Sequence, residues 1–160
     1  MRHATGKLTP ETSRTEGEWA LGYLEKRGIK EEMGRSEVKK FLELGYPRIA
    51  CDAISAFGLN DKVGSFKPDV IKAVKALLDK RALYRAADAV SLFKLTEEEV
   101  ASFRSEAMTQ LPEFVEKART ELKEGWADAV NYVAGAFRIP GDKVIAITNH
   151  ALLRTDISTL

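Results

Sequence analysis

Two histidines, one cysteine and a run of three glutamates are the residues of this 160-residue chain whose types could do chemistry. His3 lies near the amino terminus, and His150 has no second histidine or cysteine nearby in sequence to complete a zinc or catalytic site. Consecutive side chains on a helix point in different directions, so Glu97-Glu98-Glu99 indicates a helix amino terminus rather than a cation site. These residues predict no catalytic site, no metal site and no cofactor.

The common catalytic motifs are also missing from the sequence. The chain contains no His-Glu-x-x-His, no Gly-x-x-x-x-Gly-Lys-[Ser/Thr], no Gly-x-Gly-x-x-Gly and no Gly-x-Ser-x-Gly. An enzyme built on this chain would have to assemble its site from scattered side chains. A small helical enzyme is therefore the third hypothesis, and a non-enzymatic protein is the first.

Basic residues outnumber acidic ones by 14 to 8 between residues 26 and 85, although the whole chain carries a formal charge of only +1. Such a flank could meet phosphates, and an RNA-associated accessory factor is the second hypothesis. The candidate contacts are Lys39, Lys40, Arg48, Lys72, Lys75, Lys80, Arg81 and Arg85.

Composition indicates one folded domain. The chain is 44% hydrophobic and 31% charged, and its single cysteine, Cys51, excludes an internal disulfide.

No stretch approaches the roughly twenty apolar residues that span a bilayer, and the amino terminus lacks the apolar segment of a secretory signal. We expect a soluble, intracellular protein, cytoplasmic by default, that does not insert into membranes.

A repeated segment indicates the secondary-structure elements of this chain. Residues 50–59, ACDAISAFGL, recur 36 residues later as AADAVSLFKL at 86–95. The apolar positions of both copies follow helical spacing, and an offset of this size is typical of stacked helical hairpins. A third copy, at Trp126 to Ile139, shares only the large residues, because its Asp128 is about one helical turn out of register.

The repeated Asp and Ser lie off the apolar stripe. Asp52 and Ser55 in the first copy, and Asp88 and Ser91 in the second, are therefore predicted to form an outer ridge that binds a partner. Local spacing would pair Asp52 with Arg48 and Asp88 with Arg85. The further candidate anchors for a partner are the aromatic residues Trp19, Tyr46 and Trp126.

Helix signals predict an all-α fold of about eight or nine short helices in stacked antiparallel hairpins, either a short solenoid-like array or an irregular bundle. Gly28 and Gly45 are predicted to end helices, Ser36 to begin one, and Pro112 to restart the chain after a break. Thr96 and Glu99 have the spacing of a capping box.

The predicted organisation is a flexible arm at 1–14, one all-α domain at 15–154 and a tail at 155–160. Within the domain, the repeat-like hairpins are 36–59, 68–95 and 112–139.

This pattern resembles the helix-turn-helix repeats of α-solenoids, such as tetratricopeptide-like and clathrin-type arrays, over about residues 36 to 100. The Trp, Gly and Tyr pattern of the tetratricopeptide first helix is absent. The resemblance implies a binding scaffold. We therefore expect an adaptor that binds protein partners or copies of itself, as a subunit of a larger assembly.

Overall fold

The computed structural model describes the backbone of residues 16–159 and the side chains of residues 28–153. Its α-helices are α1 (Glu16–Glu43), α2 (Pro47–Ala56), α3 (Lys67–Asp79), α4 (Leu83–Leu92), α5 (Glu97–Leu122), α6 (Trp126–Ala136) and α7 (Gly141–Thr159). Short 3-10 helices occupy Asn60–Phe66 and Lys123–Gly125. The described part of the chain contains no strand, which confirms the all-α prediction.

The helices pack in two rows. Three hairpins are formed by α1 with α2, α3 with α4, and α5 with α6. The first helices of these hairpins contact one another in the order α1, α3, α5, and α7 continues this row by packing on α5. The second helices form the other row, with α4 in contact with both α2 and α6. The middle hairpin is thus covered on both sides.

Each second helix ends in the same way. The three residues after α2, α4 and α6 share a pattern of backbone hydrogen bonds, and they are residues 57–59, 93–95 and 137–139. The middle residue is left-handed, with φ of 68° at Gly58, 51° at Lys94 and 53° at Arg138. The third residue, Leu or Ile, is buried and its N–H bonds to the carbonyl five residues earlier, as in a Schellman cap. This cap turns the chain back toward the next first helix.

The third hairpin matches the second at an offset of 44 residues, since its cap begins at Phe137 instead of Phe93. Relative to the cap, Asp88 corresponds to Tyr132 and Tyr84 corresponds to Asp128. The sequence repeat loses its register here because α5 spans 26 residues, whereas α3 spans only 13 and follows a seven-residue 3-10 helix.

The prediction of eight or nine helices is wrong, because two predicted breaks do not occur. Gly28 and Ser36 lie inside the continuous α1, and Pro112 lies inside α5. A glycine within a helix costs only about 1 kcal/mol relative to alanine, and the helix-forming residues around Gly28 offset it. Pro112 is retained because Leu111 and Val115, on either side of it, are buried in the core.

The predicted capping box is confirmed, whereas the predicted terminal segments differ from the structure or lie outside the described residues. Thr96 and Glu99 form both hydrogen bonds of a capping box at the start of α5. The predicted arm at 1–14 lies outside the described residues, whereas α7 continues to Thr159 through most of the predicted tail. None of the described helices has a stretch that is both long and apolar enough to cross a lipid bilayer.

The two glycines of α1 predict opposite effects of alanine. A Cβ at Gly34 would lie 2.6 Å from Cβ of Phe57, whereas a Cβ at Gly28 would meet nothing within 4 Å. We expect Gly34→Ala to lower the free energy of unfolding, because the rigid base of Phe57 must move. Gly28→Ala should raise it by about 0.5–1 kcal/mol, since alanine favours the helix. Urea unfolding followed by circular dichroism measures both, and equal effects of the two variants would contradict this packing.

The alanines of the second helices allow the close packing of the stack. Ala89 of α4 is fully buried, whereas its counterpart Ala53 in α2 is only half-buried. We expect Ala89→Leu to overpack the core and cost about 1–3 kcal/mol, and Ala53→Leu to cost less. The matched pair is compared by the midpoint of urea unfolding. A larger loss in Ala53→Leu would contradict the central position of α4.

Candidate functional site

A groove between α4, α5 and α6 is walled by three aromatic rings. The Tyr84 ring is tilted by 34° against Tyr132 at a centroid distance of 5.1 Å, and it stacks on Phe114 at 6.4 Å. The groove has a volume of about 640 Å³. Aliphatic parts of α5 and α6, Ala118, Leu122 and Ala129, complete the lining. This volume and apolar character suit one or two large apolar side chains of a ligand.

One wall of the groove is held by a buried carboxylate. Asp88 of α4 is only 6% exposed, and its Oδ1 accepts hydrogen bonds from Arg48 Nη2 at 2.8 Å and from Tyr132 Oη at 2.5 Å. Ser91, also on α4, is exposed. Asp88 therefore connects α2, α4 and α6, and it fixes the Tyr132 ring in the groove wall.

The surroundings of Asp88 raise the pKa values of Tyr132 and Arg48. Burial, and then the hydrogen bond to Asp88, raise the pKa of Tyr132 from 10.0 to about 12. The same carboxylate raises the pKa of the Arg48 guanidinium through their hydrogen bond. Both partners of Asp88 thus keep their protons over the physiological range. The cluster is an acceptor with two donors, which is an arrangement for positioning and not for proton transfer near neutral pH.

Asp88 does not belong to the exposed outer ridge that the sequence predicted. Asp88 is buried, and Arg48 reaches it across 40 residues of sequence instead of pairing with Asp52. Asp52 stays exposed and has no ion pair or hydrogen bond with the described residues, while the hydroxyl of Ser55 donates to Asn60. The physical reason is position in the stack. The middle hairpin has a neighbour on each side, so α4 buries a face that α2 leaves open.

The predicted aromatic anchors have different surroundings. Tyr46 is 41% exposed, and the Arg85 guanidinium lies 4.8 Å above its ring. Trp126 is half-buried against the core, with Arg119 at 5.6 Å from its ring. The side chain of Trp19 lies outside the described residues.

All eight predicted basic contacts are exposed, but the three arginines are engaged. Arg48 pairs with Asp88, Arg81 pairs with Glu113 at 3.2 Å, and Arg85 lies over Tyr46. The lysines, which form no ion pair with the described residues, are Lys39, Lys40, Lys72, Lys75 and Lys80. The basic flank thus offers separate lysines, and its guanidinium groups are already hydrogen-bonded or stacked.

The glutamate run is explained by ion pairs and by a helix cap. Glu97 binds Arg138 and Arg104, and the Arg138 hydrogen bond is the largest cause of its lowered pKa. Glu99 accepts from the Thr96 N–H, which is the largest cause of its lowered pKa, and it also binds Lys67. Within residues 28–153, no group of three or more His, Cys, Asp or Glu side chains could hold a metal ion.

No protein-family model matches this chain, and comparisons with curated proteins and with solved structures find no match either. The likeness to α-solenoids therefore stays a prediction. What the structure defines is an all-helical protein with a groove of fixed aromatic walls.

The residues of the groove are not those that the sequence singled out. Tyr84, Phe114 and Tyr132 are not among the predicted partner-binding or nucleic-acid-binding residues. Tyr132 corresponds to Asp88 at the offset of 44, but this offset becomes visible only from the backbone hydrogen bonds of the cap.

The raised pKa of Tyr132 predicts an alkaline effect on stability. The unfolded chain releases this proton near pH 10, and the folded protein only near 12. Stability from the protonated hydroxyl is therefore complete below pH 10 and is lost as the pH rises through 12. Tyr132→Phe should lower stability at neutral pH and remove this part of the alkaline loss.

Ultraviolet absorbance of tyrosinate, with urea unfolding across the same pH range, measures both effects. Tyr84→Phe is the matched control and should keep the late ionisation of Tyr132. Retention of the late phase in Tyr132→Phe would assign it to another tyrosine.

Proposed function

We propose that this protein is a non-enzymatic helical scaffold that binds a partner protein in the groove between α4, α5 and α6. The observation that carries the proposal is the 640 Å³ groove walled by Tyr84, Phe114 and Tyr132. Aromatic residues in a concave surface are the usual anchors of protein interfaces, because they bury much area with few rotatable bonds. The groove replaces the outer ridge as the surface to test.

Contacts within the protein position the walls of the groove. Asp88 holds Tyr132 by a hydrogen bond, and Tyr132 in turn packs against Tyr84. A partner therefore does not have to immobilise these side chains when it binds, and binding loses less conformational entropy. This preorganisation favours recognition of one defined side chain over non-specific binding of apolar groups.

The occupant that fits is a short peptide segment with an aromatic or branched aliphatic anchor. The groove is lined mainly by apolar groups, and its charged lining residues are Lys117 and Glu121 of α5 and Asp128 of α6. None of the three has an ion pair with the described residues, so all are available to polar groups that flank the anchor. A peptide that buries one apolar residue and offers charges on both sides satisfies this lining.

The proposal is tested with a random peptide display library selected against the wild-type protein. Enriched peptides should share an apolar anchor, and their affinity is measured by fluorescence anisotropy. We expect Tyr84→Ala or Leu122→Glu to weaken the selected peptides roughly 30-fold, which is the effect of losing a contact worth about 2 kcal/mol. Ile145→Glu, on exposed α7, is the matched control and should bind as the wild type does.

Two results would overturn the proposal. One is that selection enriches no peptide with an apolar anchor. The other is that Tyr84→Ala, Leu122→Glu and Ile145→Glu all bind alike. A parallel titration with single-stranded RNA oligonucleotides tests the basic flank: affinity that falls steeply and log-linearly with salt, and that is lost in Lys72→Gln/Lys75→Gln, would favour the RNA-associated alternative.

A further inference from the structure

The aromatic groove between α4, α5 and α6 has an uneven distribution of charge along its length. Phe114, Lys117 and Glu121 of α5 follow one another at intervals of three and four residues, so they lie along one face of that helix. Tyr132 and Asp128 of α6 also lie one turn apart on the face that lines the groove. Each of these two walls therefore leads from an aromatic ring to a carboxylate.

The two carboxylates lie at the end of the groove beside the α5–α6 connection, and we call this the acidic end. Glu121 is in the last turn of α5, Asp128 is in the first turn of α6, and the short 3-10 helix Lys123–Gly125 joins the two helices. The other end of the groove holds the aromatic rings. Seven residues separate Phe114 from Glu121, which is about 10 Å along the helix axis.

Glu121 has a charge that the fold does not favour. The carbonyl groups at a helix carboxyl terminus disfavour a carboxylate, and Glu121 is the residue before the last of α5. It forms no ion pair with the described residues, although Lys117 lies one turn before it. Asp128, in contrast, is stabilised by the amino terminus of α6. A charge that opposes its helix and lines a groove indicates a role in binding.

We propose that the acidic end binds a lysine or arginine of the partner segment, about three residues from the apolar anchor that the aromatic rings take. This contact depends on the proposed function, because it belongs to the same peptide site. The spacing follows from the distance between the ends, since an extended chain advances about 3.3 Å per residue.

The charges of the groove also set the direction of the peptide. A cation beside Glu121 and Asp128 relieves the repulsion between two carboxylates at one end of the groove. Lys117 lies one turn nearer the aromatic rings, and it repels a basic residue placed directly beside the anchor. The basic residue therefore points toward the α5–α6 connection, and the anchor points away from it.

The test begins with the peptides that the random display library enriches on the wild-type protein. These should carry lysine or arginine about three residues from the apolar anchor. Fluorescence anisotropy then compares the wild type with the double variant Glu121→Gln/Asp128→Asn. The double variant should bind a selected peptide roughly 10-fold more weakly, which is the scale of two exposed charge pairs. Added salt should weaken the wild-type complex and narrow this difference.

Matched variants test the sign and the place of the charge. Lys117→Gln removes the positive charge from the same face of α5, and it should strengthen binding roughly 2-fold. Glu98→Gln removes an exposed carboxylate at the other end of α5, outside the groove, and should bind as the wild type does. A selected peptide whose basic residue is replaced by glutamine should bind the wild type and the double variant alike. All substituted side chains are exposed, so circular dichroism should show the same helix content in every variant.

The outcomes separate this contact from the proposed function. Enriched peptides that share an apolar anchor but have no basic residue near it would overturn the role of the acidic end and leave the peptide site in place. Equal weakening by Lys117→Gln and by the double variant would do the same. Selection that enriches no apolar anchor would overturn the proposed function, and the role of the acidic end with it.

Discussion

The cap that ends each second helix is the constraint on which the rest of the structure depends. After α2, α4 and α6, one residue takes a left-handed conformation, and the next buries a Leu or Ile beneath the helix it has just left. The burial fixes the direction in which the chain returns. The same hydrogen-bonded turn, with a left-handed Gly45 or Arg81, also ends α1 and α3. One kind of turn therefore reverses the chain five times, and the first helices fall into one row and the second helices into another. The aromatic groove follows from this arrangement.

The contacts between successive second helices are staggered. Arg48 of α2 reaches Asp88 of α4, and Tyr84 of α4 reaches Tyr132 of α6. In both cases a residue contacts the position four residues further along in the next copy, counted from the cap. The pairs differ chemically, since one is an ion pair and the other an aromatic contact. The geometry is thus retained while the residues change, and the ring pair contributes to the walls of the aromatic groove.

The sequence predicted the elements better than their continuity. The 36-residue repeat correctly placed α2 and α4, and the Thr96 capping box correctly placed the start of α5. It did not reveal that α1 runs through Gly28, because a tolerated glycine and a terminal glycine look alike in sequence. The extra length of α5 concealed the third copy, since a shift of eight residues breaks the match at Asp128.

The functional surface was harder to predict, for a physical reason. Burial depends on neighbours, and a repeated segment does not say which of its copies has neighbours on both sides. Asp52 and Asp88 have nearly the same sequence context, yet one is exposed and the other is enclosed by three helices. Tyr84 lies one helical turn before the buried Asp88 on α4, yet it is exposed and its ring lines a groove. Only the packing of α4 between α2 and α6 distinguishes these cases.

The left-handed position of the cap is filled by Gly58 in the first copy but by Lys94 and Arg138 in the other two. The left-handed conformation costs a residue other than glycine about 1–2 kcal/mol, so Lys94 and Arg138 destabilise the backbone at this position relative to glycine. Both lie just beyond a helix carboxyl terminus, where the exposed carbonyls favour positive charge. Arg138 also binds Glu97 at the start of α5. The left-handed residue that ends α6 therefore also forms an ion pair with the start of α5. The turn at the end of one helix thus stabilises the position of another.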